Sequence, residues 1–238
     1  MNREGTGLKS LFMSYVVRNG KKRGSIVSVL FAIALMSSVP VRATEALVFA
    51  PMPVEAPETV VGQWHSMLDR LAQVLGVPIR IEYAASHSEL LALFRAGKVD
   101  LAHLGPLPYV TLKEQFSQVE PIVNFREPDG QTAYTCALFA LDERRLSPHK
   151  IVGMKVALTQ PLSTCGYLMI DRLLRLHGSG LEKNRYRYLG QHDTVAIAVA
   201  RGDFDAGGAK TSIVRKYTHL GPLRKLRGTA KIPQKGNF

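Results

Sequence analysis

Cysteine is scarce in this chain: 238 residues carry only two, Cys136 and Cys165. No zinc-type spacing can be built from them, and the histidines are dispersed, so no metal centre or cofactor is implied. Whether the two cysteines pair is left open, because residues this far apart in sequence cannot be joined without coordinates. Acid is also sparse, with 19 Asp+Glu against 31 Lys+Arg and a formal charge of +12. Much of that excess is local. Residues 1–43 hold seven of the 31 bases and one of the 19 acids, so the remainder carries 24 minus 18, or +6. A nucleic-acid binder needs a basic face interleaved with aromatics. Here the bases are scattered except over 215–227, so no nucleic-acid partner is expected and an anionic small ligand fits the charge.

A long hydrophobic run is missing too. The run 26–36 is too short for a membrane span. Lys21, Lys22 and Arg23 precede it, and small residues at Val41 and Ala43 follow, which is the pattern of a secretory signal cut after Ala43. An uncleaved N-terminal anchor is the alternative, and translation starting at Met13 would give a signal of ordinary length. The whole chain is 46% hydrophobic and 21% charged, a globular composition with length enough for one large or two small domains.

The most informative stretch is 155–176. An apolar run at Val156-Ala157-Leu158 reads as a strand. A polar loop, 159–166, follows. Leu168, Met169, Ile170, Leu173, Leu174 and Leu176 then recur at helical spacing. A strand, a Ser/Thr loop and a helix start together make an anion site, since the first N–H groups of a helix have no partner within it. Ser163 and Thr164 add hydroxyls, Cys165 a weaker thiol donor, and Gly166 room for close approach. The bland alternative is that Ser163 or Thr164 only caps a buried helix.

The rest of the chain alternates. Residues 45–50 read as a strand. Trp64, Met67, Leu68, Leu71 and Leu75 form a helical stripe ended by Gly76. Ile79, Ile81 and Tyr83 alternate as a strand, and Ser86 with Glu89 forms a capping box that opens a helix closed by Gly97. A strand at 99–104 leads into Gly105-Pro106-Leu107-Pro108-Tyr109. Residues 121–125 and 132–141 read as two strands joined by a turn at 127–130. Beyond the strand at Val156 come a helix from Gly166, a strand at 186–188, a helix at 194–200 with Asp193 and Thr194 as caps, and a strand at 204–207. This order points to parallel sheets covered by helices. One echo recurs 105 positions apart, residues 95–102 against 200–207, and implies two related α/β lobes sharing a cleft. Asp100 and Asp205 in that echo are expected to hold loops.

Three ordered motifs, LAHLGPLPYV, VALTQPLSTCGYL and GQHDTVAIAVARGDFDAGGAK, resemble the signatures of the phosphonate/phosphite-type periplasmic binding proteins. These are the solute receptors of ABC importers. The resemblance implies a type II two-lobed periplasmic fold, with lobe 1 over 44–134, lobe 2 over 135–230 and a return segment at 231–238. It implies a periplasmic receptor and no catalysis. The ligand would be a small phosphorus oxyanion, phosphate, phosphite or phosphonate, and the partner a membrane permease or a sensor protein. It places the ligand at Ser163, Thr164 and His192, with Tyr109 closing over it from the first lobe. Carboxylates that would take an aminoalkyl phosphonate are replaced by Lys210 and its neighbours. Members of the family continue for several more helices beyond residue 238, so a truncated inactive copy is an alternative, with exposed apolar surface on the first lobe or a partner covering it. An enzyme would instead use Cys165 as nucleophile, His192 as base and Asp193 as orienter.

Overall fold

The computed structural model describes residues 45–127 and 130–226. The expected signal segment, 1–43, and the expected return segment, 231–238, lie outside the described residues. A first sheet is wholly parallel, with strand order β2-β1-β3, formed by β1 (Leu47–Ala50), β2 (Ile79–Ile81) and β3 (Leu101–Ala102). Its helices are α1 (Pro57–Leu75), α2 (His87–Arg95) and α3 (Pro106–Gln115). Local chemistry explains their ends. Proline stands in the first turn of α1 and of α3, where no N–H is needed. Gly76 ends α1 in the left-handed conformation at φ 66°. The Ser86 hydroxyl accepts from the Glu89 N–H at 3.1 Å, and the Glu89 carboxylate accepts from the Ala85 N–H at 2.8 Å. The capping box is therefore present, its return bond one residue earlier than the usual pattern.

A second sheet follows the order β6-β5-β7-β4-β8, built from β4 (Cys136–Leu141), β5 (Lys155–Leu158), β6 (Arg185–Tyr188), β7 (Ala206–Lys210) and β8 (Leu223–Lys225). β5 runs parallel to β6 and β7, while β4 is antiparallel to β7 and β8. All six residues of β4 are buried. Leu138 and Ala140 enter one core cluster and Ala137 and Phe139 another, so the strand is apolar throughout because helices cover both its faces. These are α4 (Met169–Leu176) and α5 (His192–Ala200), with α6 (Thr211–Lys216) beyond. Gly208 admits α4 to this sheet: a Cβ there would fall 2.4 Å from Ile170 Cγ1.

Several expected elements shift. Residues 121–125 form no strand, and the strand expected over 132–141 begins only at Cys136. Pro121 lacks a ladder donor, and Phe125 turns into a cluster with Trp64 and His103 instead. The strand at 99–104 shortens to Leu101–Ala102, which pairs with Phe49 and Ala50 of β1. The helix from Gly166 begins earlier, as one π turn over Thr164–Leu168, with the Leu168 N–H on the Ser163 carbonyl at 3.1 Å. The strand at 204–207 starts at Ala206 and runs to Lys210.

The echo is structural. In each copy a helix ends near a glycine with positive φ, Gly97 at 66° and Gly202 at 79°. Each aspartate then bonds the neighbouring parallel strand. Asp100 Oδ2 accepts from the Val48 N–H and Asp205 Oδ2 from the Lys155 N–H, both at 2.8 Å. Asp100 and Asp205, expected to hold loops, instead anchor strands, and neither lines the cavity described below.

Candidate functional site

Four helix openings converge on one cavity of about 460 Å³ bounded by both sheets' elements. Helix α2 opens at His87, α3 at Pro106, the π turn before α4 at Thr164 and α5 at His192, so the positive ends of their dipoles favour negative charge nearby. Bonds between the two halves hold it shut. The Leu107 N–H donates to Thr164 Oγ1 at 3.0 Å, the His87 N–H to Gln160 Oε1 at 2.8 Å, the Ala56 N–H to Asp193 Oδ2 at 3.1 Å and the His192 N–H to the Val54 carbonyl at 2.9 Å.

Ser163, Thr164, Cys165 and His192 come together in the wall of this cavity. Ser163 caps the π turn, its Oγ accepting from the Gly166 N–H at 2.8 Å, which leaves its own hydroxyl hydrogen to donate. Thr164 also hydrogen-bonds Tyr134, whose phenol burial pushes well above its usual range. The Lys210 N–H donates to His192 Nδ1 at 3.0 Å. In the neutral ring the proton then resides on Nε2, a tautomer inferred from that bond. The ring is held neutral because burial, aided by the charges of His87 and Lys210, lowers its pKa to about 3.

Two of the expected site residues stand elsewhere. Tyr109 packs against the first-sheet core, and its neighbour Pro108 lines the cavity in its place. Gly166 faces Thr159 rather than the cavity: a Cβ there would lie 1.7 Å from Thr159 Oγ1 and 2.6 Å from its Cβ. The glycine is required by packing. Gly166→Ala should therefore cost about 1–3 kcal/mol in chemical denaturation, since β-branched Thr159 cannot swing aside; an unchanged midpoint would count against this packing.

Cys165 is bonded to Cys136. Its sulfur offers neither a thiol donor nor a nucleophile. Asp193, expected to cap α5, lies inside its first turn and bonds the Ala56 and Thr194 N–H groups. Helix α5 starts two residues earlier than expected, at His192, because the His192 N–H is anchored on Val54. No Cys–His–Asp relay is assembled.

Comparison with known proteins gives a family. The model of the family described as "ABC transporter, phosphonate, periplasmic substrate-binding protein" matches residues 49–237. The chain belongs to that family. Among curated relatives it is similar to the phosphate-import protein PhnD of Mycolicibacterium smegmatis, with 27% identity over 183 residues, 72% of this chain and 57% of that protein. The chain thus spans a little over half the length of that relative. In fold it is similar to PhnD1 from Prochlorococcus marinus, solved in complex with methylphosphonate, at TM-score 0.71 and 18% identity over 82% of this chain and 75% of that one. The binding component of an ABC phosphonate transporter from Pseudomonas aeruginosa gives the same TM-score and identity over 82% and 67%. The fold is that of the type II periplasmic binding proteins. Among the described residues no helix is long and apolar enough to cross a membrane.

Among the cavity residues, His87 carries no local signal in the sequence. His87 is 3% exposed, lines the cavity and leaves both ring nitrogens without a partner in hydrogen-bonding geometry. Burial lowers its pKa to about 4, opposed only in part by the Leu162 backbone nearby. The signal was in the echo: 192 minus 87 is 105, the spacing already seen between the two lobes' glycines and aspartates. Each copy opens its helix with a histidine, and the two rings face a common cavity from opposite lobes.

Proposed function

We propose that this chain captures a small phosphorus oxyanion, phosphate, phosphite or a phosphonate, in the cleft between a lobe over 44–134 and a lobe over 135–230. The loaded form is then recognised by an ABC permease at the membrane. The observation that carries this reading is a cavity lined by buried, unspent neutral donors: the Ser163 hydroxyl, His192 Nε2–H and the unpartnered His87 ring. Donors fixed in place and shielded from water hold an oxyanion without needing a full counter-charge. The name of the M. smegmatis relative and the methylphosphonate in the P. marinus neighbour support the ligand class. The Cys136–Cys165 disulfide fits an oxidising compartment and so export to the periplasm.

Calorimetry with phosphate, phosphite and methylphosphonate tests the site. Thr164→Val and His192→Ala should each weaken binding by about 1–3 kcal/mol, the cost of a lost bond to a charged group. Unchanged affinity in both variants would remove Thr164 and His192 from the binding site.

A further inference from the structure

The cavity has more wall than an oxyanion needs, and the surplus is apolar. Val60, Gln63, Trp64 and Met67 recur at helical spacing on α1 and present one face to it. The Trp64 ring lies 4.9 Å from that of His103 and 5.3 Å from that of Phe125, and His103 and Phe125 are 5.5 Å apart, all between centroids. Three contiguous rings thus panel the first-lobe side, opposite the hydroxyls of the second. An inorganic oxyanion displaces only a few waters at roughly 30 Å³ each, a fraction of the 460 Å³ available.

Charge narrows the choice. Two carboxylates line the cavity, and each already holds a lysine. Lys216 Nζ contacts both oxygens of Glu55 at 2.9 and 2.8 Å, and Lys210 Nζ lies 2.6 Å from Glu127 Oε1. A ligand ammonium would meet two committed acids and two repelling lysines.

We propose that the panel of Trp64, His103 and Phe125 seats an uncharged organic substituent on the oxyanion, so that the preferred ligand is an alkyl or aryl phosphonate. Inorganic phosphate and aminoalkyl phosphonates are then poorer ligands. This rests on the oxyanion reading above. Each methylene buried against the panel multiplies affinity by about fourfold.

The decisive pair is n-propylphosphonate and 2-aminoethylphosphonate, which match in length and differ by a methyl against an ammonium. Titration calorimetry of the full chain should show n-propylphosphonate binding at least about tenfold tighter than either 2-aminoethylphosphonate or methylphosphonate. Equal affinities, or a preference for the amine, overturn this inference while methylphosphonate binding keeps the oxyanion reading intact. Failure of every phosphorus anion to bind overturns both. Trp64→Ala should collapse the propyl-to-methyl ratio towards one. Because Trp64 also packs on Phe49 at 4.7 Å, Met67→Glu is the second variant, at a position 39% exposed. Its new carboxylate should move the propyl-to-aminoethyl ratio at least about tenfold towards the amine, the scale of one charge-assisted bond. A ratio unmoved in both variants overturns the assignment of the panel.

Discussion

Acidification from pH 7 to pH 5 is expected to remove on the order of 5 kcal/mol of folding stability. Three cavity histidines are responsible. Burial, as the largest cause in each case, lowers the pKa of His87 to about 4, His103 to about 3 and His192 to about 3. Lys210 adds to the depression of His103 and His192, and His87 to that of His192. In the unfolded chain the same rings titrate near ~6.5. Between that value and the folded pKa values the unfolded state holds the extra protons. Stability is therefore complete above pH ~6.5 and is lost as pH falls, by about 1.4 kcal/mol per unit for each ring. Guanidinium unfolding at pH 7, 6 and 5 should show the slope steepening towards three protons, a large share of a typical total of about 5–15 kcal/mol. His87→Gln should remove about one third of it. A slope below about 1 kcal/mol per unit at pH 5–6 would show that the rings are charged or solvated in the folded protein.

Removing the Cys136–Cys165 bridge is expected to cost about 3–4 kcal/mol. The two residues are 29 apart in sequence, and a crosslink of that span restricts the unfolded chain by roughly this amount on the chain-entropy account. The double variant Cys136→Ala, Cys165→Ala is the appropriate comparison, because both positions are buried and serine would leave hydroxyls without partners. The bridge ties the first residue of β4 to the π turn that carries Thr164. Its loss should therefore weaken oxyanion binding as well as stability, since Thr164 would no longer be held against Leu107 and Tyr134. Urea unfolding and calorimetry on the variant read the two effects separately. A change in unfolding free energy below about 1 kcal/mol would mean that the bridge adds no constraint the packing does not already impose.

Much of the architecture was readable from local chemistry. The stripe on α1, the Gly76 stop, the Ser86–Glu89 capping box and the Ser163 cap are all set within a few residues, where spacing and hydrogen-bonding groups act directly. The Ser-Thr loop and His192 share a cavity wall, and the 105-residue echo reappears as two aspartates bonding equivalent strands. Local rules failed at 121–125, where Phe125 joined a ring cluster in place of a sheet.

By itself the sequence determined the alternation of strands and helices, the kinship of the two halves and the loop that faces the cleft, because each depends on neighbours along the chain. Only the tertiary structure decided that Cys136 meets Cys165, that Gly166 is reserved for Thr159, that Tyr109 packs against the first-sheet core, and that His87 faces the cavity unpaired. Those outcomes turn on which distant side chains share a buried volume, and hence on desolvation and steric fit that no local spacing encodes.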